Sequence, residues 1–149
     1  MGRAIFDGIV AGSIATVFSG APSTLHALAT GGDVLAATEA AGSLLLPDED
    51  DRGTLVAAAV PVHLVLSAGW GVVLAAVLPR RGTVLWGALA GAAIDAFDMT
   101  LVGSRVPKIA ALPRGPQFAD HVAYGAIAGW VIARRRATRR RVAGTSATR

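Results

Sequence analysis

The stretch TVLWGALAGAAIDAFDMTLVGS, residues 83–104, decides how this chain folds. It has the length of about 20 residues that a helix needs to cross a bilayer. Its only charges are Asp95 and Asp98, and it is otherwise almost wholly apolar or small. Continuous apolarity of this length predicts a transmembrane helix and excludes an alternating surface strand. Immediately before it, Pro79-Arg80-Arg81-Gly82 is too short to be anything but the turn of a helical hairpin, and residues 54–78 are equally apolar. Two further segments fit the same pattern, residues 4–21 and 117–133. The expected fold class is therefore all-α, a four-helix transmembrane bundle with spans at 4–21, 54–78, 83–104 and 117–133.

Composition agrees. The 149 residues are 53% hydrophobic and only 16% charged, with mean hydropathy +0.54, against roughly 25% charged in soluble domains. A disordered chain, a coiled coil and most soluble enzymes are excluded. The absence of cysteine removes disulfides, thiolate metal sites and cysteine nucleophiles. The formal charge of +4 is dominated by Arg134, Arg135, Arg136, Arg139, Arg140 and Arg141, which follow directly on an apolar segment. Such a cluster is the usual cytoplasmic anchor of a spanning helix, and it suits anionic lipid headgroups. Nucleic acid is not an expected partner, because no base-stacking aromatics accompany the arginines.

The arginines of the tail and of the residue 79–82 turn set orientation by the positive-inside rule. Both termini are expected in the cytoplasm, at a bacterial inner membrane, with residues 1–133 as the membrane domain and 134–149 as a basic, disordered tail. Arg105, Lys108 and Arg114 in the second outer loop oppose this assignment but are outnumbered. A cleaved signal peptide is disfavoured by Asp7 within the first apolar stretch. No lipidation motif is present. In the first outer loop, Asp33 is suited to cap a helix reaching about Leu46, where Pro47 would end it. That helix would be about 21 Å long, too short to span, and is expected to be interfacial or re-entrant. Asp48-Glu49-Asp50-Asp51 reads as a solvated turn, since its spacing is not that of a calcium loop. No internal repeat stands out.

Small residues let membrane helices approach closely. Gly8-x3-Gly12, Gly87-x3-Gly91 and Gly125-x3-Gly129 supply such stripes on three of the four helices. Ionisable residues share them at four-residue steps: Gly87, Gly91 and Asp95; His121, Gly125 and Gly129; His63, Ser67 and Gly71. Residues four apart lie on one helix face, so the polar groups should point toward neighbouring helices, away from lipid. By helix rise, His63 and Asp95 lie about 14 Å below the outer edge, Asp98 about 9 Å, and Asp120, His121 and Tyr124 about 5–11 Å.

His63, Asp95, Asp98, Asp120 and His121 are thus the candidate site, in the outer half of the bundle. Its carboxylates and imidazoles could serve only to hold helices in register. They could handle protons or perform acid–base chemistry. Of these, His63, His121 and Asp95 match zinc or non-haem iron in ligand type, but no short ligand spacing supports a metal, and no cofactor is expected. Ser67, Tyr124 and His26 border this region. Arg105, Lys108 and Arg114 could steer an anionic ligand toward it or simply balance the acidic loop. No serine has a nucleophile-elbow context. Three function classes stay open: a membrane protein that binds a small molecule, headgroup or proton; a membrane-embedded enzyme; and an accessory subunit of a homo-oligomer or membrane complex.

One residue order adds to this. His63-x3-Ser67, Pro79 at the turn, Trp86-Gly87-x2-Ala90-Gly91, a Pro-rich loop and a final helix ending in Ile132-x-Arg134-Arg135 follow in sequence, after Gly8-Ile9-Val10-Ala11-Gly12 and Pro22. This order resembles the YagU-like family of small bacterial inner-membrane proteins. The resemblance covers most of the chain and implies a four-helix membrane architecture with weight on His63. Members of that family are longer, with an extra outer segment absent here, and the resemblance implies no catalytic residue.

Overall fold

The computed structural model describes residues 2–146, with side chains described through 141. Among the described residues the chain is helical without any strand, and 81% of it is in helices. Helix α1 spans Gly2–Ser19 and α2 spans Ala21–Thr30. They join at Gly20, because Pro22 has no N–H to give to the carbonyl four residues back. Together they form one apolar run, Gly2–Thr30. The first loop therefore begins at Gly31, whose φ of 70° ends α2 in the left-handed region, and not at Pro22 as expected.

The expected helix from Asp33 to Leu46 is shorter than its cap suggests. The Asp33 carboxylate accepts from the Leu35 N–H at 2.9 Å and makes a turn, and α3 covers only Ala36–Gly42. Helix α4, Arg52–Val77, is capped by the Asp51 carboxylate on the Thr54 N–H. After the turn at Gly82, which has φ 63°, α5 spans Thr83–Asp98 and continues as one π-helical turn, Met99–Gly103. Helix α6, Pro107–Ala110, is a single turn, and α7 spans Arg114–Ser146. The boundary expected at 133 is not a helix end: the arginine run continues α7, and residues 147–149 lie outside the described residues.

Three helical segments are long and apolar enough to cross a membrane: Gly2–Thr30, Arg52–Val77 and Thr83–Gly103. Large apolar side chains face outward along them, among them Val17, Val65, Val77 and Leu85. The interior is instead made of small and medium residues, including Ala11, Ala15, Leu74, Ile94, Ala128 and Ile132. Such a distribution suits a lipid surround, where packing and not water exclusion holds helices together.

Two tight helix pairs make up the bundle, α1 on α4 and α5 on α7, and α1 also packs on α7. Glycine makes both pairs possible. A Cβ at Gly71 would collide with the Gly8 carbonyl and lie 2.9 Å from the Gly12 Cα. A Cβ at Gly125 would collide with the Gly87 carbonyl and lie 2.8 Å from the Gly91 nitrogen. The correspondence extends further. A Cβ at Gly12 would strike the backbone of Ser67 and Ala68, and one at Gly91 the backbone of His121 and Val122. At a constant offset, Gly8, Gly12 and Thr16 of α1 match Gly87, Gly91 and Asp95 of α5, while Ser67 and Gly71 of α4 match His121 and Gly125 of α7. The two pairs are thus built on one plan, a repeat too small and too apolar to stand out in the sequence.

The ends of the bundle differ. At the arginine end, buried Asp7 is held by Arg135 at 2.7 Å and by Arg139. Arg136 donates to the Leu78 carbonyl at 3.0 Å and the Ala75 carbonyl at 2.9 Å, satisfying acceptors that the last turn of α4 leaves open. At the loop end, Lys108 reaches the Glu49 carbonyl at 2.7 Å and the Asp50 carboxylate at 3.3 Å, and Arg52 pairs with Asp33.

Candidate functional site

Asp95, Asp98 and His121 meet near the loop end, between α5 and α7. The four-residue glycine steps put Asp95 on the face of α5 that touches α7, and Asp98 follows one turn later. Their partner His121 lies where α7 crosses Gly91. Its Nδ1 donates to the Gln117 carbonyl at 2.9 Å. A carbonyl can only accept, so this contact places a proton on Nδ1 and leaves Nε2 as the nitrogen that exchanges one. Nδ1 also lies 3.4 Å from Asp95 Oδ1, and Nε2 lies 3.5 Å from Asp98 Oδ2.

Asp95 is the unusual member. Its side chain is only 9% exposed, yet Oδ1 has no hydrogen-bond partner. It is within ion-pair reach of His121 at 3.4 Å but is not hydrogen-bonded to it. Buried carboxylate oxygens are normally satisfied, so this oxygen marks a place where a donor is missing. The charge count agrees. Two carboxylates exceed the single positive charge that one imidazole can carry, so negative charge is left uncancelled in surroundings where that is costly.

The other expected site residues are placed differently. Asp120 turns to α2, where it accepts from the Ser23 N–H at 2.9 Å. His63 does not join the cluster. It shares a face of α4 with Ser67 and Trp70, but its ring is exposed and its Nδ1 is bonded to the Ala59 carbonyl of its own helix at 3.0 Å. The cause is packing. Helix α4 leans on α1 and α3, and its ring contact with α5 comes lower down, where Trp70 meets Phe97 edge to face at 5.7 Å. Below His121, the Tyr124 hydroxyl donates to the Ser67 carbonyl at 2.5 Å, and the Thr16 hydroxyl donates to Ser67 Oγ. These contacts tie α1, α4 and α7 together and floor the site.

The three cations do not converge above the site. Arg105 donates to the Leu101 carbonyl at 2.6 Å, Lys108 is taken up by the acidic loop, and Arg114 is exposed at the start of α7. A steering role is thereby replaced by charge balance for Lys108 and helix-end bonding for Arg105. His26 lies on α2 and lines a small cavity with Ser23 and Gln117. Among the described residues, no three His, Asp or Glu side chains are placed to hold a metal ion, so His63, His121 and Asp95 do not form the metal site that their types allow.

At the loop end the Leu35 N–H and the Arg52 guanidinium hold the Asp33 carboxyl below its usual range. The Thr54 N–H and hydroxyl do the same for Asp51. Sequence reasoning missed the Thr16–Ser67 bond, the ion pairs of Asp7 and the role of Gln117. Only Asp7 carried a signal: it is a lone acid in the first span, at the end expected to hold the arginines.

No family model, curated protein or solved structure matches this chain.

Proposed function

We propose that the chain is a four-span integral membrane protein whose Asp95–His121–Asp98 cluster is a proton-binding site in the outer half of the bundle. Helix α7 is the fourth span in this reading. It is wedged between α1 and α5, so a bilayer that holds those helices must surround it too. The arginine run at its end faces the cytoplasm and its anionic headgroups, and both termini lie on that side. Kinship with the YagU-like membrane proteins belongs to this proposal on the strength of residue order alone.

One observation carries the functional reading: the buried, unpartnered Oδ1 of Asp95 beside a histidine whose other nitrogen is free to exchange a proton. A proton on Asp95 Oδ1 supplies the donor that this oxygen lacks, and one on His121 Nε2 faces the Asp98 carboxylate; either lowers the residual negative charge of the cluster. A purely structural role is disfavoured by the matching position in the other helix pair, where a neutral Thr16–Ser67 bond serves the same crossing. Beneath the hydroxyls of Thr16, Ser67 and Tyr124 that floor the site, Ala11, Ala15, Ala128 and Ile132 form an apolar layer before Asp7 and offer no proton carrier.

The test is a pH titration of protein in lipid nanodiscs, read by the ring-nitrogen NMR signals of His121 with total proton uptake measured alongside. Wild-type protein should take up a proton at this histidine, and Asp95→Asn should shift the midpoint by more than one pH unit while the helical spectrum stays intact. An unchanged midpoint in Asp95→Asn would remove the reading.

A further inference from the structure

The arginine end carries more positive charge than its acids can use. Asp7 is the one Asp or Glu there, and Arg135 and Arg139 take it up. Arg136 is partly buried and donates to the carbonyls of Ala75 and Leu78 and, at 3.4 Å, of Pro79. These acceptors are neutral, so they orient the guanidinium without cancelling its charge. Arg80 lies close enough for the two like charges to repel. Among the described residues no carboxylate pairs with either arginine. Two cations held together without a counter-ion call for an anion.

Arg80 also heads an open groove of about 670 Å³ on the outer side of α5 and α7. Beyond the arginine its walls are mainly apolar, with Val84, Leu85 and Ala88 on α5 and Ala133 on α7. The Thr83 hydroxyl, in the same wall, is already given to the Pro79 carbonyl at 2.9 Å. From Thr83 to Ala88 the helix rises about 8 Å, room for the upper part of an acyl chain. Trp86 and Trp130, both about half exposed, stand on the same two helices near this end, as aromatic side chains do at the level of the headgroups. We propose that this groove holds one anionic phospholipid, its phosphate beside Arg80 in the field of Arg136 and an acyl chain along Val84, Leu85 and Ala88. The proposal rests on the four-span reading above and is independent of the proton site. A charged head and an apolar tail match the groove in order, from the arginine inward. A free phosphate would meet only the cationic end, and a zwitterionic lipid would bring its own cation beside the arginines.

The test compares Arg80→Gln with Arg140→Gln, which removes the same charge from an exposed position farther along α7 that does not line the groove. Protein in mild detergent is titrated with phosphatidylglycerol or with phosphatidylcholine of equal chain length, and bound lipid is counted by native mass spectrometry. One arginine near the surface is worth about a fivefold preference for anionic lipid. Wild-type protein should therefore retain one phosphatidylglycerol with a preference of about tenfold or more. Arg80→Gln should lower that preference about fivefold, and Arg140→Gln less than about twofold. Ala88→Leu fills the groove and should weaken retention with both arginines in place and helix content unchanged. Equal binding of the two lipids overturns the proposal, and so does an equal loss in the two arginine variants, which would mean diffuse attraction. Displacement of the lipid by millimolar inorganic phosphate overturns it as well, since the arginines would then take phosphate alone. Extraction of the chain from vesicles by alkaline carbonate would remove the membrane-spanning reading and this site with it, whereas equal lipid binding by an integral protein removes the site only.

Discussion

Asp7 and Asp95 are both carboxylates buried in glycine-packed helix pairs, and they are treated in opposite ways. Asp7, in the α1·α4 pair, is held by two arginines from α7. Asp95, in the α5·α7 pair, keeps one oxygen without a donor. The pairs share their packing plan, so the difference does not come from the backbone. Trp86 stands in α5 where Asp7 stands in α1, and Thr16 stands in α1 where Asp95 stands in α5. Each pair thus carries its acid at a different level. The fully paired acid closes one end of the bundle, while the half-satisfied one leaves an opening for chemistry. Local conflict with the packing rules is where function is expected to lie.

The largest effect should come from the plan that both pairs share. Gly71→Val and Gly125→Val each place a side chain against backbone that has no room to yield. Each should cost about 4 kcal/mol or more, the exceptional end of single-residue effects, and abolish the folded monomer in mild detergent as seen by size exclusion and helix content. If one glycine tolerates valine and the other does not, the two pairs are not equivalent and the comparison fails.

Next comes Asp7. Replacing it by Ala strands Arg135 and Arg139 at the arginine end. Breaking a fully buried pair costs about 3–5 kcal/mol, but Arg139 is 41% exposed, so about 2 kcal/mol is the expected loss on thermal unfolding in nanodiscs. Proteolysis after the arginines of α7 should accelerate. Proton uptake at His121 should not change, because the apolar core separates the two ends.

The third variant exchanges one pair's solution for the other's. Asp95→Thr with His121→Ser recreates at the α5·α7 crossing the neutral bond of Thr16 and Ser67. Replacing buried ionic groups by neutral ones is often nearly neutral for stability, apart from the volume lost. Unfolding should shift by less than about 2 kcal/mol, and proton uptake should vanish. A double variant that no longer folds would make the Asp95–His121 pair a structural latch.

How much of this was legible in the sequence follows from the range of the interactions. The glycine stripes at four-residue steps were readable, since they depend only on helix periodicity. So was the pairing of Asp95 with His121, because both stand on those stripes. The exposure of His63 was not, although it has the same step to Ser67 and Gly71. Periodicity gives a face but not the distance to the next helix, and α4 is drawn toward α1 and α3. The continuation of α7 past Ala133 was hidden by the change from apolar to basic composition, which reads as a membrane boundary and says nothing of where a helix stops. The bonds of Asp7 to Arg135 and Arg139 needed knowledge that α1 lies beside α7, and the chain order of the helices does not contain it.

The smallest effect concerns the acids outside the bundle, and it separates a structural pH response from a functional one. Asp33 and Asp51 are held below their usual range by the Leu35 and Thr54 N–H groups, with Arg52 and the Thr54 hydroxyl adding to this. A carboxyl whose folded-state value is lowered stabilises the fold fully above its unfolded value, about 3.9, and that contribution fades as pH falls through the lowered value. The first loop and the start of α4 should therefore be insensitive to pH between 5 and 8 and loosen only below about pH 4. Amide exchange at Leu35 and Thr54 reads this directly. Histidine chemistry belongs to the interval from 5 to 8, so a His121 signal that moves there while both amides stay protected reports the α5·α7 site alone. If the amides lose protection in the same interval, the loop end opens first, His121 merely follows it, and the contrast between a paired and an unpaired acid no longer explains the response.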